Sequence, residues 1–488
     1  MSFILAIDQS TAGTKALLVD NHGFIKAKDS LPHKQYYPAP GWVEHDAEEI
    51  WQNVLKLIKL MVEQASNYNG EIAGLSICNQ RETTVAWDRK SGKPLAPAIV
   101  WQCQRGAGIC EKLSDHSQQI RQLSGLPLSA YFPAAKAAWM LQHVPGLKQK
   151  AQNGEACIGT IDSFLIFRLT GGASFKTDYS NASRTQLFNL KTLKWDERLC
   201  ELFDIPAKCL PEIVFSDSIF GETRENLTIR KLPIAGVMGD SHAALFGQGC
   251  LRPGMAKATY GTGSSIMLNV GKSMKEPPEG IAASLAWGWH DEVSYVLEGN
   301  VTSSGDTLNW LIDEVELVSS PQEIDELAEQ VNSSEGVYLV PAFSGLGAPY
   351  FDSKARAALV GMNRGSTRRH IARAALESIA YQNHAVVRAM ETELSELRVD
   401  GGPTRSSVLM QFQADILSCP VRCSIAQEIS ALGSAYMGGL KLGFFNEPSQ
   451  ITAWQQAGRI YEPIMAEQQV AELTLGWDQA VKSVMYKK

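Results

Sequence analysis

The chain opens on Phe3-Ile4-Leu5-Ala6-Ile7, an unbroken apolar run of strand length. It passes through Asp8-Gln9-Ser10-Thr11-Ala12-Gly13-Thr14-Lys15 into a second run, Ala16-Leu17-Leu18-Val19. After Asp20-Asn21-His22-Gly23, which has turn chemistry, Phe24-Ile25 begins a third. Short apolar runs bounded by small polar residues predict buried strands joined by tight turns. Residues 46–66, opening at Asp46-Ala47-Glu48-Glu49, predict a helix with acid in its first turn. Ile72-Ala73-Gly74-Leu75-Ser76-Ile77 reads as a further buried strand. Helix-like spacing of large apolar residues marks Lys136 to Val144 and Phe164 to Leu169, whereas residues 216–233 are polar and carry no strong pattern. Leu232 to Gly239 is a strand entering a tight turn at Asp240.

A second strand, turn and strand run from Ala256 to Leu268 through Gly261-Thr262-Gly263-Ser264-Ser265. Residue identities echo the first hairpin too weakly to count as a repeat. The echo nevertheless predicts two halves of related construction, residues 1–248 and 249–488, packed together with a cleft between them. In the second half, residues 368–393 predict a long amphipathic helix. Leu397-Arg398-Val399 is a short strand closed by Asp400-Gly401-Gly402, and Ser406 to Leu417 is helical. Ala431 to Leu440 is a helix of small residues suited to close packing.

Charge narrows the partners. Lys plus Arg is 45 and Asp plus Glu is 52, a net of −7, which argues against a nucleic-acid binder. No apolar run reaches the ~18 residues of a membrane span, and no basic-then-apolar signal opens the chain, so a cytoplasmic protein without a membrane partner is expected. Nine scattered cysteines do not resemble a disulfide framework, and Cys419 and Cys423 lack a second pair to complete a metal site.

Three small-residue turns at strand ends carry the candidate chemistry. In the first, backbone N–H groups and hydroxyls suit phosphate, Lys15 can neutralise it, and Asp8 can hold Mg²⁺. The spacing is not that of the P-loop, and a plain polar hairpin is the competing reading. With Gly261 to Ser265 and Asp400 to Gly402, the three turns could surround a nucleotide between two α/β halves. Asp240 is placed to take a proton from a hydroxyl, its alternative being a helix cap, and His242 reads as a structural histidine. Asn79-Gln80-Arg81-Glu82-Thr83-Thr84 gathers groups that donate to and accept from hydroxyls, as polyol recognition requires. Trp101 and Tyr131 offer aromatic walls.

Taken together, these segments resemble the FGGY carbohydrate kinases, most closely their glycerol kinase branch. The resemblance is carried by Leu5 to Thr11, Pro40-Gly41-Trp42-Val43-Glu44-His45-Asp46, Asn79 to Thr84, Ile99-Val100-Trp101-Gln102-Cys103 and Asp178-Tyr179-Ser180-Asn181-Ala182-Ser183-Arg184-Thr185. It continues through Gly239-Asp240, Tyr260-Gly261-Thr262-Gly263, Val340 to Tyr350 and Arg398 to Gly402. It implies a two-domain actin-like (ribonuclease H-like) α/β fold with ATP and Mg²⁺ in the cleft. Asp240 matches the family's catalytic base and Asp8 its Mg²⁺-associated aspartate. Thr11, Thr14 and Lys15 match phosphate-side positions, and Thr262, Gly305, Asn309, Gly402 and Ser406 match nucleotide-contacting ones. Asn309 stands where the branch has Gln, and Ser406 where it has Asn. Arg81, Glu82, Trp101, Tyr131 and Asp240 match the glycerol pocket. Two pocket positions depart, Ser241 replacing a Gln and Ser265 a Phe, and both exchanges remove bulk and leave hydroxyls. The implied activity is ATP-dependent phosphorylation of a primary hydroxyl of glycerol or a somewhat longer polyol. A tetritol or pentulose kinase is the near alternative, and a non-metabolic actin-like ATPase the remote one. A homodimer or homotetramer is the implied assembly.

Overall fold

Two mixed sheets carry the chain in the computed structural model, which describes residues 1–225, 227–454 and 458–486. The first contains β1 (Ser2–Gln9), β2 (Gly13–Asp20), β3 (Ile25–Pro32), β4 (Glu71–Asn79), β5 (Ile219–Glu222) and β6 (Pro233–Gly239), in the order β5-β6-β4-β1-β2-β3. β1, β2 and β3 pair antiparallel, whereas β4 runs parallel to β1 and β6 parallel to β4. The second sheet contains β7 (Met255–Tyr260), β8 (Ser264–Gly271), β9 (Ala282–Trp289), β10 (Glu292–Val301), β11 (Glu396–Gly401), β12 (Val421–Cys423) and β13 (Ile460–Tyr461). Its order is β9-β10-β8-β7-β11-β12-β13. Here β7, β8 and β10 pair antiparallel, with β11 and β12 parallel to β7. Three antiparallel strands followed by two parallel ones therefore occur in each half, in the same order, as expected of the actin-like class.

Burial explains why these runs became strands. Seven consecutive residues of β1, Phe3 to Gln9, are buried, so both faces of the strand are covered. One face receives α1 (Ala47–Asn67), whose Ile50, Trp51, Val54, Leu57, Ile58 and Met61 form an apolar stripe. Asp46 caps α1 by accepting from the Glu48 N–H, with Glu48 and Glu49 in the acidic first turn. The other face receives a helix from the second half. Further along the chain come α2 (Asp240–Gly247), α3 (Gly305–Asp313), α4 (Arg368–Ala389), α5 (Ser407–Leu417) and α6 (Ile429–Lys441). α6 packs on β1, β4, β6 and α2. Its small residues permit this approach: a Cβ on Gly438 would stand 2.5 Å from the Ala235 carbonyl oxygen, and one on Gly433 would overlap that of Ala243.

Three expectations are corrected. The stretch 216–233 contains β5, an edge strand in which only Phe220 is buried, too little apolar content to mark it. The helix expected over 368–393 ends at Ala389, and Glu391 turns left-handed with a φ of 47°. Asp240 stands at the strand-to-helix turn as read from the sequence, but it is the first residue of α2 and Gly239 holds the cap position, so the helix-cap alternative for Asp240 falls. All nine cysteines are unpaired, and no His/Cys/Asp/Glu cluster among the described residues has metal-site geometry. No helix among them is long and apolar enough to cross a membrane.

Candidate active site

The β1–β2 and β7–β8 hairpins face each other across the two halves. Between them lies a cavity of about 550 Å³ lined by Thr11, Arg81, Glu82, Trp101, Tyr131, Asp240, Ser241, Thr262 and Ser265. Nine sequence-predicted residues thus meet in one space, joined by Thr259, Gly261, Gly263, Ser264, Asn300, Val301 and Thr302. Trp101 and Tyr131 stand edge to face with ring centroids 5.7 Å apart. The Trp101 indole N–H donates to the Thr11 hydroxyl at 3.0 Å, tying the aromatic wall to the phosphate-type turn.

Beneath the pocket lies a buried charged quartet. Arg81 donates through both Nη atoms to the Glu298 carboxylate, at 2.8 and 2.9 Å. Arg184 donates through Nε to Glu82 at 2.7 Å, and its Nη1 stands 3.0 Å from Glu298. The Nε of Arg81 then faces Asp240 at 3.3 Å and Glu82 at 3.8 Å. Burial opposes charge on Arg81, but Glu298 and Glu82 outweigh it and hold the guanidinium well above its usual value. Burial likewise pushes Glu298 up, and Arg184 with Arg81 pulls it well below the carboxylate range. Glu82 adopts a left-handed φ of 62°, a conformation that the surrounding pairs must hold. The Asp240 side chain is 38% exposed, and its Oδ1 accepts from the Ser241 N–H at 2.6 Å. His242 is buried, and burial followed by Arg81 holds it well below its usual value, in keeping with a structural, neutral ring.

On the phosphate side, Asp8 is 6% exposed, and burial, with smaller contributions from Asp240 and Glu428 set against Lys15, pushes its carboxyl up to about 6. Thr14 is fully buried with its hydroxyl unpartnered. Lys15 is not free: its ammonium pairs with Glu428 at 2.5 Å, across the two halves. A carboxyl whose folded value exceeds its unfolded one stabilises the fold while protonated. That contribution is complete below about pH 4 and is lost as pH rises through about 6. Asp8→Asn is uncharged throughout. It is expected to gain on the order of 2–3 kcal/mol over the wild type between pH 4 and pH 8 in ligand-free protein. Thermal melts of both proteins at the two pH values check this, and an unchanged difference between them would contradict it.

Of the positions expected on the nucleotide side, Thr262, Gly305 and Gly402 lie beside the ends of β7 and β11. Ser304 and Asp306 donate backbone N–H bonds to the Thr262 carbonyl at 2.7 and 3.2 Å, and Gly305 donates to that of Gly261 at 2.9 Å. A Cβ on Gly305 would stand 2.6 Å from the Gly261 oxygen, so this approach requires glycine. Gly402 begins a 3₁₀ turn and faces open space, and Asn309 is exposed on α3. Ser406 is 4% exposed, and its hydroxyl caps α5 at Leu409 N–H and bonds to Asp325. That hydroxyl is already committed, because Ser is a strong helix cap, and only the backbone of Ser406 is left to meet a nucleotide.

Several residues of the site escaped sequence reasoning. Glu298 is a lone acid in the apolar run Tyr295-Val296-Leu297, and Lys257 a lone base between Ala256 and Ala258, patterns that flag a buried charge with a partner. Lys257 donates to Thr259 at 3.2 Å and to Ser265 at 3.4 Å, and burial lowers its value. Asn300 carried no signal. Only the register, which sets it opposite Ser265, brings it to the pocket.

Two halves of like topology that meet at a carboxylate, a polar cavity with aromatic walls and a Ser/Thr/Gly/Lys turn have the arrangement of a small-molecule kinase of the actin-like class. The chain belongs to the FGGY family of carbohydrate kinases, whose N-terminal domain matches residues 3–247 and C-terminal domain residues 256–442. It is 47% identical over 489 residues to Glycerol kinase 1 of Thermotoga maritima, covering 99% of each chain. It is 34% identical to Plasmodium falciparum glycerol kinase, whose crystal structure with ADP it matches at a TM-score of 0.96, over 100% of this chain and 99% of that one. A ligand-bound xylulose kinase from Lactobacillus acidophilus shares the fold at a TM-score of 0.89 and 23% identity, over 99% of each chain. Family membership makes the protein an ATP-dependent phosphotransferase with a polyol or sugar acceptor.

Proposed function

We propose that this enzyme transfers the γ-phosphoryl group of ATP to a primary hydroxyl of a small linear polyol, in the manner of a glycerol kinase. The observation that carries this reading is the half-exposed Asp240, fixed by Arg81 and the Ser241 N–H at the edge of the Arg81–Glu82–Trp101–Tyr131 pocket. An alcohol is a weak nucleophile at neutral pH. Asp240 accepts its proton as the alcohol oxygen bonds to the γ-phosphorus and the bond to the ADP oxygen breaks. Arg81 and Glu82 hold the acceptor hydroxyls, and Trp101 and Tyr131 cover its carbon face. Phosphate competes with Glu428 for Lys15, so nucleotide binding exchanges an ion pair between the halves for one to the substrate. Thr262 and the backbone around Gly305 and Gly402 receive the nucleotide, and closure of the halves excludes water.

Mg²⁺ suits this donor set. Asp8 is buried with incomplete compensation and lies within electrostatic reach of Asp240, an all-oxygen pair of the kind a hard cation favours. When bound beside ATP, it supplies charge neutralisation of the phosphate oxygens. The assembly implied by the resemblance, a homodimer or homotetramer, is read by light scattering.

The replacement of bulk by Ser241 and Ser265 favours acceptors longer than glycerol, which keeps tetritols and pentuloses in view. ADP release measured with glycerol, erythritol, erythrulose, xylitol, ribulose and xylulose tests the reading. Acceptor-dependent release with at least one of them is expected. Release at the same rate without any acceptor would point instead to an actin-like ATPase.

A further inference from the structure

Three polar side chains lie side by side across the second sheet where it floors the pocket. Thr259 on β7 is the cross-strand partner of Ser265 on β8, and Ser265 is the partner of Asn300 on β10. All three line the cavity. Their hydrogen-bonding capacity is partly spent, and what is left over is specific. The Lys257 ammonium can only donate, so both Thr259 and Ser265 accept from it. Among the described residues no acceptor lies within hydrogen-bonding distance of the Ser265 hydroxyl, which keeps its O–H for a ligand. Asn300 stands 3.3 Å from the Glu298 carboxylate, which can only accept, so the amide NH₂ is the end turned to it. The Asn300 carbonyl oxygen is left as an acceptor.

Ser265 thus offers an O–H, and Asn300 a carbonyl oxygen with one amide N–H still unspent. A hydroxyl can meet donor and acceptor at once; a carboxylate or a carbonyl leaves the Asn300 oxygen without a donor, and an ammonium leaves the Ser265 O–H without an acceptor. The pair also adjoins the acceptor grip, because Asn300 and Arg81 bind the same Glu298 carboxylate. We propose that Ser265 and Asn300 form a subsite for one further hydroxyl of the acceptor, so that the enzyme prefers linear polyols of four or more carbons over glycerol and over sugar acids. This rests on the polyol kinase reading above and deepens it.

The test compares kcat/KM for glycerol, erythritol, D-threitol, L-threitol and erythronate in the wild type, Ser265→Ala and Asn300→Ala. In the wild type the best tetritol is expected to exceed glycerol, with erythronate poorer than both. Each variant is expected to lower the ratio of the best tetritol to glycerol by about five- to tenfold, the scale of one lost hydrogen bond. Ser265→Ala removes a single oxygen and keeps the result readable if loss of the Asn300–Glu298 bond upsets folding. A wild type that prefers glycerol, or ratios unmoved in both variants, would overturn the subsite while leaving the kinase reading intact. ADP release unaffected by every polyol would remove the kinase reading itself.

Discussion

Asp240→Asn is expected to lower kcat by about 10²- to 10⁴-fold, with the KM for ATP little changed. The amide keeps the shape of the carboxylate and can still accept from the Ser241 N–H, but it cannot take the proton of the attacking alcohol. Because Asp240 is the first residue of α2 and its side chain is 38% exposed, the exchange disturbs little packing. Steady-state kinetics with a saturating polyol, beside a thermal melt, separate a chemical defect from a folding one. Turnover close to that of the wild type would remove Asp240 from the role of base.

The second large effect is expected from Glu298. Its carboxylate receives both Nη atoms of Arg81 and faces Nη1 of Arg184, in a place where its side chain is 1% exposed. Glu298→Ala leaves two buried guanidinium groups with one buried carboxylate, Glu82, and the half-exposed Asp240 on Arg81 alone. The destabilisation of breaking such a network is on the order of 3–5 kcal/mol. Arg81 also loses the anchor that aims its Nε at Asp240, so the KM for the polyol is expected to rise in whatever fraction folds. Glu298→Gln, which keeps one acceptor and the shape, is expected to recover part of the stability but not the bidentate grip. Urea unfolding and polyol titration check both statements. A Glu298→Ala protein within 1 kcal/mol of the wild type, a margin typical of surface pairs, would show that the quartet contributes little.

Much of the fold was readable because burial is written in long apolar runs. β1, β4 and β6 are covered on both faces and announce themselves, as do α1 and α6. β5 did not, because an edge strand with one buried side chain needs no apolar pattern. The kinship of the two halves was faint in residues yet plain in strand order, since topology constrains directions and neighbours rather than side-chain identities. In the site, motif positions such as Arg81, Glu82, Trp101, Tyr131 and Asp240 converge on one cavity. Asn300 stayed hidden because its importance comes from lying across from Ser265, a relation set by pairing and invisible along the chain. Ser406 illustrates the converse. The position matches the nucleotide side of the family, but the local hydrogen-bonding habit of serine claims its hydroxyl for the helix.

The placement of α6 has a consequence for biosynthesis. Residues 1–248 emerge from the ribosome first and contain all six strands of their sheet, yet the helix that covers one face of it is residues 429–441. Until nearly 200 further residues have been made, at about 5–20 per second, the apolar side chains of Ile4, Ala6 and Cys78 lack their packing partners Ala431, Ala435 and Tyr436. The nascent first half therefore carries a sticky face for roughly ten to forty seconds, the interval in which a chaperone is most useful. A chain truncated before residue 429 is expected to keep that face exposed and to aggregate rather than accumulate as a soluble half.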